Sequence, residues 1–322
     1  MIYIILNIIF LILVIILFIL AIFKLINALS YEKKCKEDTK IKIFIDCFCN
    51  EYTPHIIKYI LHSIPNVEII KDKNHSDINV YHVNNNDYIP GKINIVISGE
   101  PDDIKDRVDL YIGPVLKENV NINAIYYPQM YSSLFEHKKS VDKNDYIQQN
   151  KNKFCAYMYR QKHPHRIKYF NLVSQYKKVD ALGECCKNTD IPTSRHISND
   201  KETYNDIAVE LYKDYKFVLA IENTDMDGYF TEKLNNPLIA NSIPIYWGNN
   251  KVFDYINKKR VIYIPDYTED ELLNVIKRID NYDAEYQNII NEPWYVNEKT
   301  PENIEKQLQE EIKEKIKNVL FK

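Results

Sequence analysis

Phe217-Val-Leu-Ala-Ile-Glu222-Asn223-Thr-Asp-Met-Asp-Gly228-Tyr229-Phe230-Thr231-Glu232-Lys233-Leu234, continued by Pro237-Leu-Ile-Ala-Asn-Ser242-Ile243-Pro244-Ile245-Tyr246-Trp247-Gly248, carries the reading of the fold. Five apolar residues, 217–221, make a buried strand; a polar loop with one glycine follows; residues 231–241 have the spacing of a helix; residues 243–247 form the next strand. Strand, loop, helix and strand in quick succession make a parallel α/β unit. The start of such a helix offers free N–H groups and the positive end of its dipole, which suits a phosphate. Lys233 stands in that first turn, where a cation is unfavourable to the helix alone, and its placement makes sense beside an anion.

Working outward, residues 154–159 predict a strand and 166–176 a helix upstream, and 261–264 a strand downstream. Thr268 and Glu271 match a capping box that opens one amphipathic helix toward Ile290, and a last charged helix runs from Pro301 to the end. Nearer the start, residues 41–46, 79–83 and 93–97 alternate or run apolar as strands, with helical spacing over 54–64. The polar, Lys/Asn/Gln-rich residues 138–153 separate two α/β sets. The expected organisation is an anchor over 1–24, a stem over 25–40, an α/β domain over 41–150, a second over 151–295 and a helix over 296–322. Four of the six glycines, Gly99, Gly183, Gly228 and Gly248, stand beside strand ends. There glycine permits unusual backbone angles or close approach of a ligand, in the region where open α/β sheets bind.

Composition narrows the class. With 322 residues, 45% hydrophobic and 27% charged, the chain buries sizeable cores and is not disordered. A net charge of -3 and the lack of a basic stripe interleaved with aromatics give no footprint for nucleic acid. The six cysteines, at 35, 47, 49, 155, 185 and 186, do not have the paired spacing of zinc sites, and we read them as buried or free thiols, with a disulfide left open. Ile2 to Phe23 is apolar except for Asn7. Its roughly 33 Å as a helix is enough to cross a bilayer. It lacks the basic start and short core of a signal peptide, so it reads as an uncleaved anchor. The lysines at 24, 33, 34, 36 and 40 that follow it favour a cytoplasmic body.

The opening stretch closely resembles the donor-binding signature of the family-10 glycosyltransferases, the α1,3/α1,4-fucosyltransferases. The resemblance rests on Glu222-Asn223, on Gly228-Tyr229-Phe230-Thr231-Glu232-Lys233 and on Ile243 to Gly248. A second block agrees: residues 153–156, then Pro164-His165-Arg166-Ile167, then the Val179-Asp180 turn and Gly183. Upstream, Ser98-Gly99-Glu100 ahead of Asp109-Leu-Tyr-Ile-Gly113 is a looser match. The resemblance implies a GT-B fold, with two Rossmann-like domains facing a cleft behind one N-terminal transmembrane helix. It implies an inverting transfer of fucose from GDP-fucose to a glycan or glycoprotein acceptor, α1,3 on an N-acetylglucosamine-containing sugar. A Golgi-type luminal body is also implied, against the flanking lysines.

The same resemblance assigns roles. Glu100 matches the base that takes the acceptor proton. Arg166 and Lys233 match the clamp on the departing diphosphate, Arg as a fork and Lys as a point charge. Asn223 and Tyr229 would donate to the same phosphates, and Glu232 would accept from ribose hydroxyls. Positioned cations can stabilise the leaving group, so no metal or other cofactor is expected. Asp225-Met-Asp227 has the form of a metal-binding Asp-x-Asp, but falls in the variable loop, and we do not read it as a ligand pair. His163-Pro-His165 reads as the loop before the Arg166 helix. Asn74-His-Ser76 is an N-glycosylation sequon, meaningful only on a luminal body. Two rivals stand beside this reading: a transferase for another nucleotide sugar, and a non-catalytic glycan- or nucleotide-binding membrane protein.

Overall fold

The computed structural model describes residues 12, 14–22, 24, 26, 40–46, 53–82, 89–100, 108–114, 123–131, 151–190 and 203–320. Two compact units divide the chain. One comprises Met1–Ile97, Ile104–Leu110 and Gln309–Lys322, and the other Ser98–Asp103 and Tyr111–Leu308.

Strands β1 (Ile41–Ile45), β2 (Val67–Ile70), β3 (Ile78–His82), β4 (Ile93–Ile97), β5 (Leu110–Gly113) and β6 (Ala124–Tyr126) form a six-stranded sheet in the order β2-β1-β3-β4-β5-β6. Ile43 of β1 lies beside Ile69 on one side and Ile78 on the other, and both pairings are parallel. Helix α1 (Pro54–His62) begins on a proline whose missing N–H costs nothing at that position, and it buries Ile56, Ile57, Tyr59 and Ile60. Runs of Ile and Val in β3 and β4 are buried on both faces, as parallel strands under helices must be.

Strands β7 (Lys153–Tyr157), β8 (Val179–Ala181), β9 (Tyr215–Ile221), β10 (Ile243–Trp247) and β11 (Ile262–Tyr263) form a parallel five-stranded sheet in the order β11-β10-β9-β7-β8. Its helices are α2 (Pro164–Ser174), α3 (Tyr204–Tyr212), α4 (Glu232–Ile239), α5 (Glu269–Asn281) and α6 (Asp283–Ile290); α7 (Pro301–Leu320) closes the described chain. The core joins Cys155, Tyr157, Phe217, Leu219, Ile243 and Ile245 from the strands to Leu172, Leu272 and Ile276 from helices. Chain order sets the useful feature of this sheet. From β7 the chain goes out to β8 on one side, then returns to β9 on the other side of β7. The winding therefore reverses between β7 and β9, and a crevice opens at their carboxyl ends.

The strands read from the sequence are present to within two residues, apart from those that fall outside the described set. The short β2, β5, β6 and β8 and the nine-residue helix α3 are not among the elements read from the sequence; two to four apolar residues in a row are too few to mark a strand. The single helix expected from Thr268 to Ile290 is two. The capping box holds, with Glu271 Oε2 accepting from Thr268 N at 2.9 Å. Tyr282, however, is extended at φ -114 and ψ 99, between α5 and α6. The polar run 280–283 ends one helix and its Asp283 starts the next, a break that apolar spacing alone does not register.

Among the described residues no helix is long and apolar enough to cross a membrane. Residues 1–11, part of the expected anchor, and most of the stem lie outside those described, as do Cys35, Cys47, Cys49 and residues 138–150 of the expected linker. The described positions between 12 and 26 are helical, and their apolar side chains are exposed, Phe18 to 67%. Cys155, Cys185 and Cys186 are free thiols.

Candidate active site

A cavity of ≈ 370 Å³ opens where the β7–β9 winding reverses. Glu100, Arg166, Asn223, Tyr229, Glu232 and Lys233, the six residues singled out in the sequence, all line it. The wall also includes Met158 to Gln161 after β7, Gly183 and Glu184 after β8, Gln129, and Tyr204, Ala208 and Tyr212 of α3.

Each side chain is delivered by a local device. Arg166 sits in the first turn of α2, which starts on Pro164. It is 2% exposed, stacks over the Tyr159 ring at 4.3 Å, and donates from Nε and Nη2 to the Ile221 carbonyl at 3.3 Å. A second bond from Nη2 goes to Asn223 Oδ1. The guanidinium is thus fixed before any ligand arrives. Tyr159 in turn accepts from Ile221 N at 2.5 Å and donates to Leu219 O at 2.8 Å. Close approach of β8 to this region requires glycine at 183, where a Cβ would lie 2.3 Å from the Tyr159 carbonyl oxygen.

The loop after β9 turns at Gly228, φ +84, a conformation that disfavours side chains. Its return is pinned twice, by Tyr126 donating to Gly228 O at 3.2 Å and by Met130 N donating to Phe230 O at 2.9 Å. Thr231 then caps α4 and places Glu232 and Lys233 in its first turn.

Under that turn lies a residue for which the sequence reading held no role. Glu222 is fully buried and accepts from Thr231 N at 2.7 Å and from Thr231 Oγ1 at 2.8 Å. Its Oε2 lies 3.5 Å from Lys233 Nζ. The signal was available: a carboxylate that ends an unbroken apolar strand is buried unless the chain turns at once. Lys233 Nζ also meets Thr231 Oγ1 at 2.9 Å and Glu232 Oε1 at 3.3 Å. The lysine therefore has two carboxylate neighbours of the protein's own, and its position at a helix start is explained before any ligand anion is considered. Burial pushes the Glu222 carboxyl above its ordinary range, with Lys233 pulling the other way. For Glu232 burial also pushes up, but the charge and hydrogen bond of Lys233 outweigh it and hold the carboxyl low. Burial would lower Lys233, yet Glu232 and Glu222 outweigh it and keep the ammonium charged.

Glu100 follows β4 in a turn closed by Ser98, whose hydroxyl donates to Glu100 O at 3.0 Å and accepts from Glu100 N at 3.1 Å. Its carboxylate accepts from the Tyr229 hydroxyl at 3.0 Å. An exposed carboxylate that lines the same pocket as an arginine and a lysine can accept a proton while the cations stabilise an anion. Asp225 and Asp227 each accept from Asn249 Nδ2 at 2.9 Å. Among the described residues no group of three or more His, Cys, Asp and Glu side chains stands as a metal would need. His165 lies tilted against Trp247, ring centroids 4.3 Å apart, and its Nε2 lies 3.0 Å from Glu222 O, which makes it a brace behind the Arg166 turn.

Comparison with known proteins bears on the family and the fold. Residues 129–316 match the model for glycosyltransferase family 10 (fucosyltransferase), C-terminal part. A protein of Acanthamoeba polyphaga mimivirus named as a fucosyltransferase is 49% identical over 259 residues, 80% of this chain and 43% of that protein. The human GDP-fucose protein O-fucosyltransferase 3 is 32% identical over 124 residues, 38% of this chain and 26% of that protein. The chain thus spans less than half the length of these curated relatives. A solved α1,3-fucosyltransferase with GDP-fucose shares the fold, with a TM-score of 0.68 at 18% identity over 86% of this chain and 90% of that one. With that match across more than half of its length, the chain belongs to glycosyltransferase family 10, the fucosyltransferases.

Proposed function

We propose that the protein is an inverting fucosyltransferase that moves fucose from GDP-fucose to a glycan hydroxyl, in α1,3 linkage to an N-acetylglucosamine-containing acceptor. The observation that carries this is the gathering of Arg166, Lys233, Glu232 and Glu100 on one cavity at the β7–β9 reversal. Arg166 and Lys233 bind the diphosphate and stabilise its charge as the glycosidic bond breaks, in the manner of preorganised cations. Glu232 accepts from the ribose hydroxyls. Glu100 takes the proton of the acceptor hydroxyl as that oxygen attacks the anomeric carbon from the face opposite GDP; the transition state is oxocarbenium-like. With two cations already fixed at the leaving group, the reaction runs without a metal. Residues 151–295 serve the donor and 41–150 the acceptor, in a GT-B arrangement.

Residues 2–23 anchor the protein in a membrane with its body luminal. The exposed apolar side chains at the described positions 12, 14–20, 22 and 26 support the anchor. Asn74 is exposed and open to glycosylation on that side. Expression in a eukaryotic cell and digestion with an endoglycosidase checks the orientation: a mobility shift lost in Asn74→Gln is expected, and no shift with a cytoplasmic protease footprint overturns it.

The activity is tested on the full chain in detergent with GDP-fucose and N-acetyllactosamine in EDTA, following GDP release and product mass. A product heavier by one deoxyhexose is expected, with the linkage then mapped by fragmentation. A panel of other nucleotide sugars runs in parallel. Turnover with another donor sugar, or activity only on adding Mn²⁺, would overturn the donor or the metal-free reading respectively.

A further inference from the structure

We propose that Cys185 and Cys186 are a redox-sensitive pair: a small-molecule disulfide oxidises them to a disulfide between neighbours, and the bridge weakens binding in the adjacent cavity. The effect on binding rests on the reading of that cavity as the GDP-fucose site; the oxidation itself does not.

Neighbouring side chains of an extended chain point to opposite faces, so adjacent cysteines there do not meet. These two do. Cys186, in the turn after β8, has φ +60, a conformation that side chains rarely adopt. The turn brings the two sulfurs to 3.5 Å, and Tyr157 Oη lies 3.2 Å from Cys185 Sγ.

Access sets the order of reaction. Cys185 is fully buried, whereas Cys186 is partly exposed. The Cys186 thiolate attacks one sulfur of the small disulfide, and a first small thiolate leaves. The Cys185 sulfur then attacks Cys186 Sγ, the bridge forms, and the second small thiolate leaves. The two cysteine protons pass to the departing thiolates. The protein thus loses two hydrogens with their electrons, and the reagent becomes two thiols. Burial and the bond with Cys185 push the Cys186 thiol up to about 11. Little thiolate is present at neutral pH, and oxidation quickens as pH rises.

Oxidation cannot leave the turn as it is. The peptide holds neighbouring Cα atoms about 3.8 Å apart, closer than the roughly 4.4–6.8 Å that disulfides usually span. The ring closes only if the backbone at 185–186 turns. Downstream that backbone is pinned. Asn188 Oδ1 accepts from Ala181 N at 2.8 Å, Asn188 Nδ2 donates to Val179 O at 2.9 Å, and Thr189 Oγ1 donates to Ala181 O at 3.1 Å. Upstream, Cys185 N donates to Tyr159 O at 2.8 Å, and Gly183 packs too close to that carbonyl for a Cβ. The displacement therefore reaches Gly183, Glu184 and Tyr159, which all line the cavity. The Tyr159 ring also carries the Arg166 guanidinium at 4.3 Å.

The full chain in detergent is incubated with excess oxidised glutathione at about pH 8.5, near the ordinary thiol range, and compared with a sample kept in dithiothreitol. Peptide mass mapping reads the cysteines, and calorimetry reads the GDP Kd. In the oxidised sample the peptide carrying both cysteines should be lighter by about two mass units, the two hydrogens lost. GDP should bind about fivefold or more weakly, the scale of coupling between linked sites, and dithiothreitol should restore it. Cys186→Ser should bind GDP within about twofold of reduced wild type, with or without the oxidant. Binding by that variant also shows that it is folded. A peptide that keeps both thiols, or carries only a glutathione adduct, overturns the pair. An equal loss of affinity in oxidised Cys186→Ser also overturns the proposal, because it places the effect at other cysteines. An unchanged Kd in the bridged protein overturns the link to the cavity. If the reduced wild type binds no GDP, the donor reading fails and the link falls with it, while the peptide mass still decides the bridge.

Discussion

The two sheets wind in the same order and differ in what stands where the winding reverses. In the first, β2 lies on one side of β1 and β3 on the other; in the second, β8 and β9 flank β7 in the same way. A crevice at the strand ends follows from either arrangement. At the β7–β9 reversal, α2 delivers the buried Arg166, which bonds to Asn223 just beyond β9, and the buried Glu222 beside it accepts from Thr231 N. At the β1–β3 reversal the described residues are Asp46 after β1 and His82 at the end of β3, with α1 starting on Pro54 and no cation in its first turn. Topology offers the same place twice, and only the residues set there decide whether it is a site.

The largest effect is therefore expected at the second reversal. Lys233→Ala removes the point charge at the α4 start and leaves the carboxylates of the buried Glu222 and of the pocket-lining Glu232 without it. A fall in kcat/KM of about 10²–10³-fold is expected, the scale for losing one preorganised group at a developing anion. GDP affinity should drop with it. A loss under tenfold, in steady-state kinetics with GDP-fucose, would break the claim that this lysine serves the diphosphate.

A core substitution in the other sheet gives the contrast. Ile43 is fully buried between β2 and β3. Ile43→Ala should cost about 2–5 kcal/mol of stability, read by urea unfolding, and leave the GDP Kd within twofold in the folded protein. A tenfold loss of GDP affinity at a temperature well below melting would mean that the first sheet does more than carry its own fold.

Glu222 sharpens the comparison within the site. Its folded carboxyl lies above its ordinary range, so the fold disfavours the charged form. Stability from this group is fullest below the usual carboxylate range and declines as pH rises through the folded value. Glu222→Gln keeps an acceptor for Thr231 N and carries no charge, and it should melt at or above wild type at pH 7. Glu222→Ala strands the Thr231 N–H and hydroxyl and should cost about 3 kcal/mol. Equal melting of the two variants would show that the acceptor, not the charge, is irrelevant to the α4 turn.

How much of this was legible beforehand follows the same divide. The 217–248 stretch spells out the α/β unit at the candidate site because a strand end, a turn glycine and a helix start each need particular residues, and Arg166 stands by a proline that opens its helix. All six chosen side chains do line one cavity. Glu100 was the hardest to place, since its neighbours before β5 carry little pattern, and its partner Tyr229 is 129 residues away. Long-range pairings of this kind, and the burial of Glu222, are set by tertiary packing and leave no local periodicity to read. The break at Tyr282 was hidden for the opposite reason: the apolar spacing continues across it while the polar residues 280–283 end the helix.

The smallest effects compare two aspartates with the same direction of shift. Asp280 is 4% exposed and accepts from Tyr176 Oη at 3.0 Å, from Lys216 Nζ at 3.2 Å and from Lys177. Burial alone would raise its carboxyl, but the bonds from Lys177, Lys216 and Tyr176 outweigh burial and hold it below its ordinary value. A depressed folded value stabilises above the unfolded pKa of about 3.9, and that contribution is lost as pH falls through the folded value. Asp280→Asn should therefore cost about 1–3 kcal/mol at pH 7, and the gap to wild type should close in urea melts below about pH 4. In the first unit, Asp72 is also held low, by the N–H of Asn74 and then by His75, but it stands in solvent. Water replaces those bonds at little cost, so Asp72→Asn should leave the urea midpoint unchanged at both pH values. If Asp72→Asn moved the midpoint as far as Asp280→Asn, burial would not be what makes the Asp280 cluster matter.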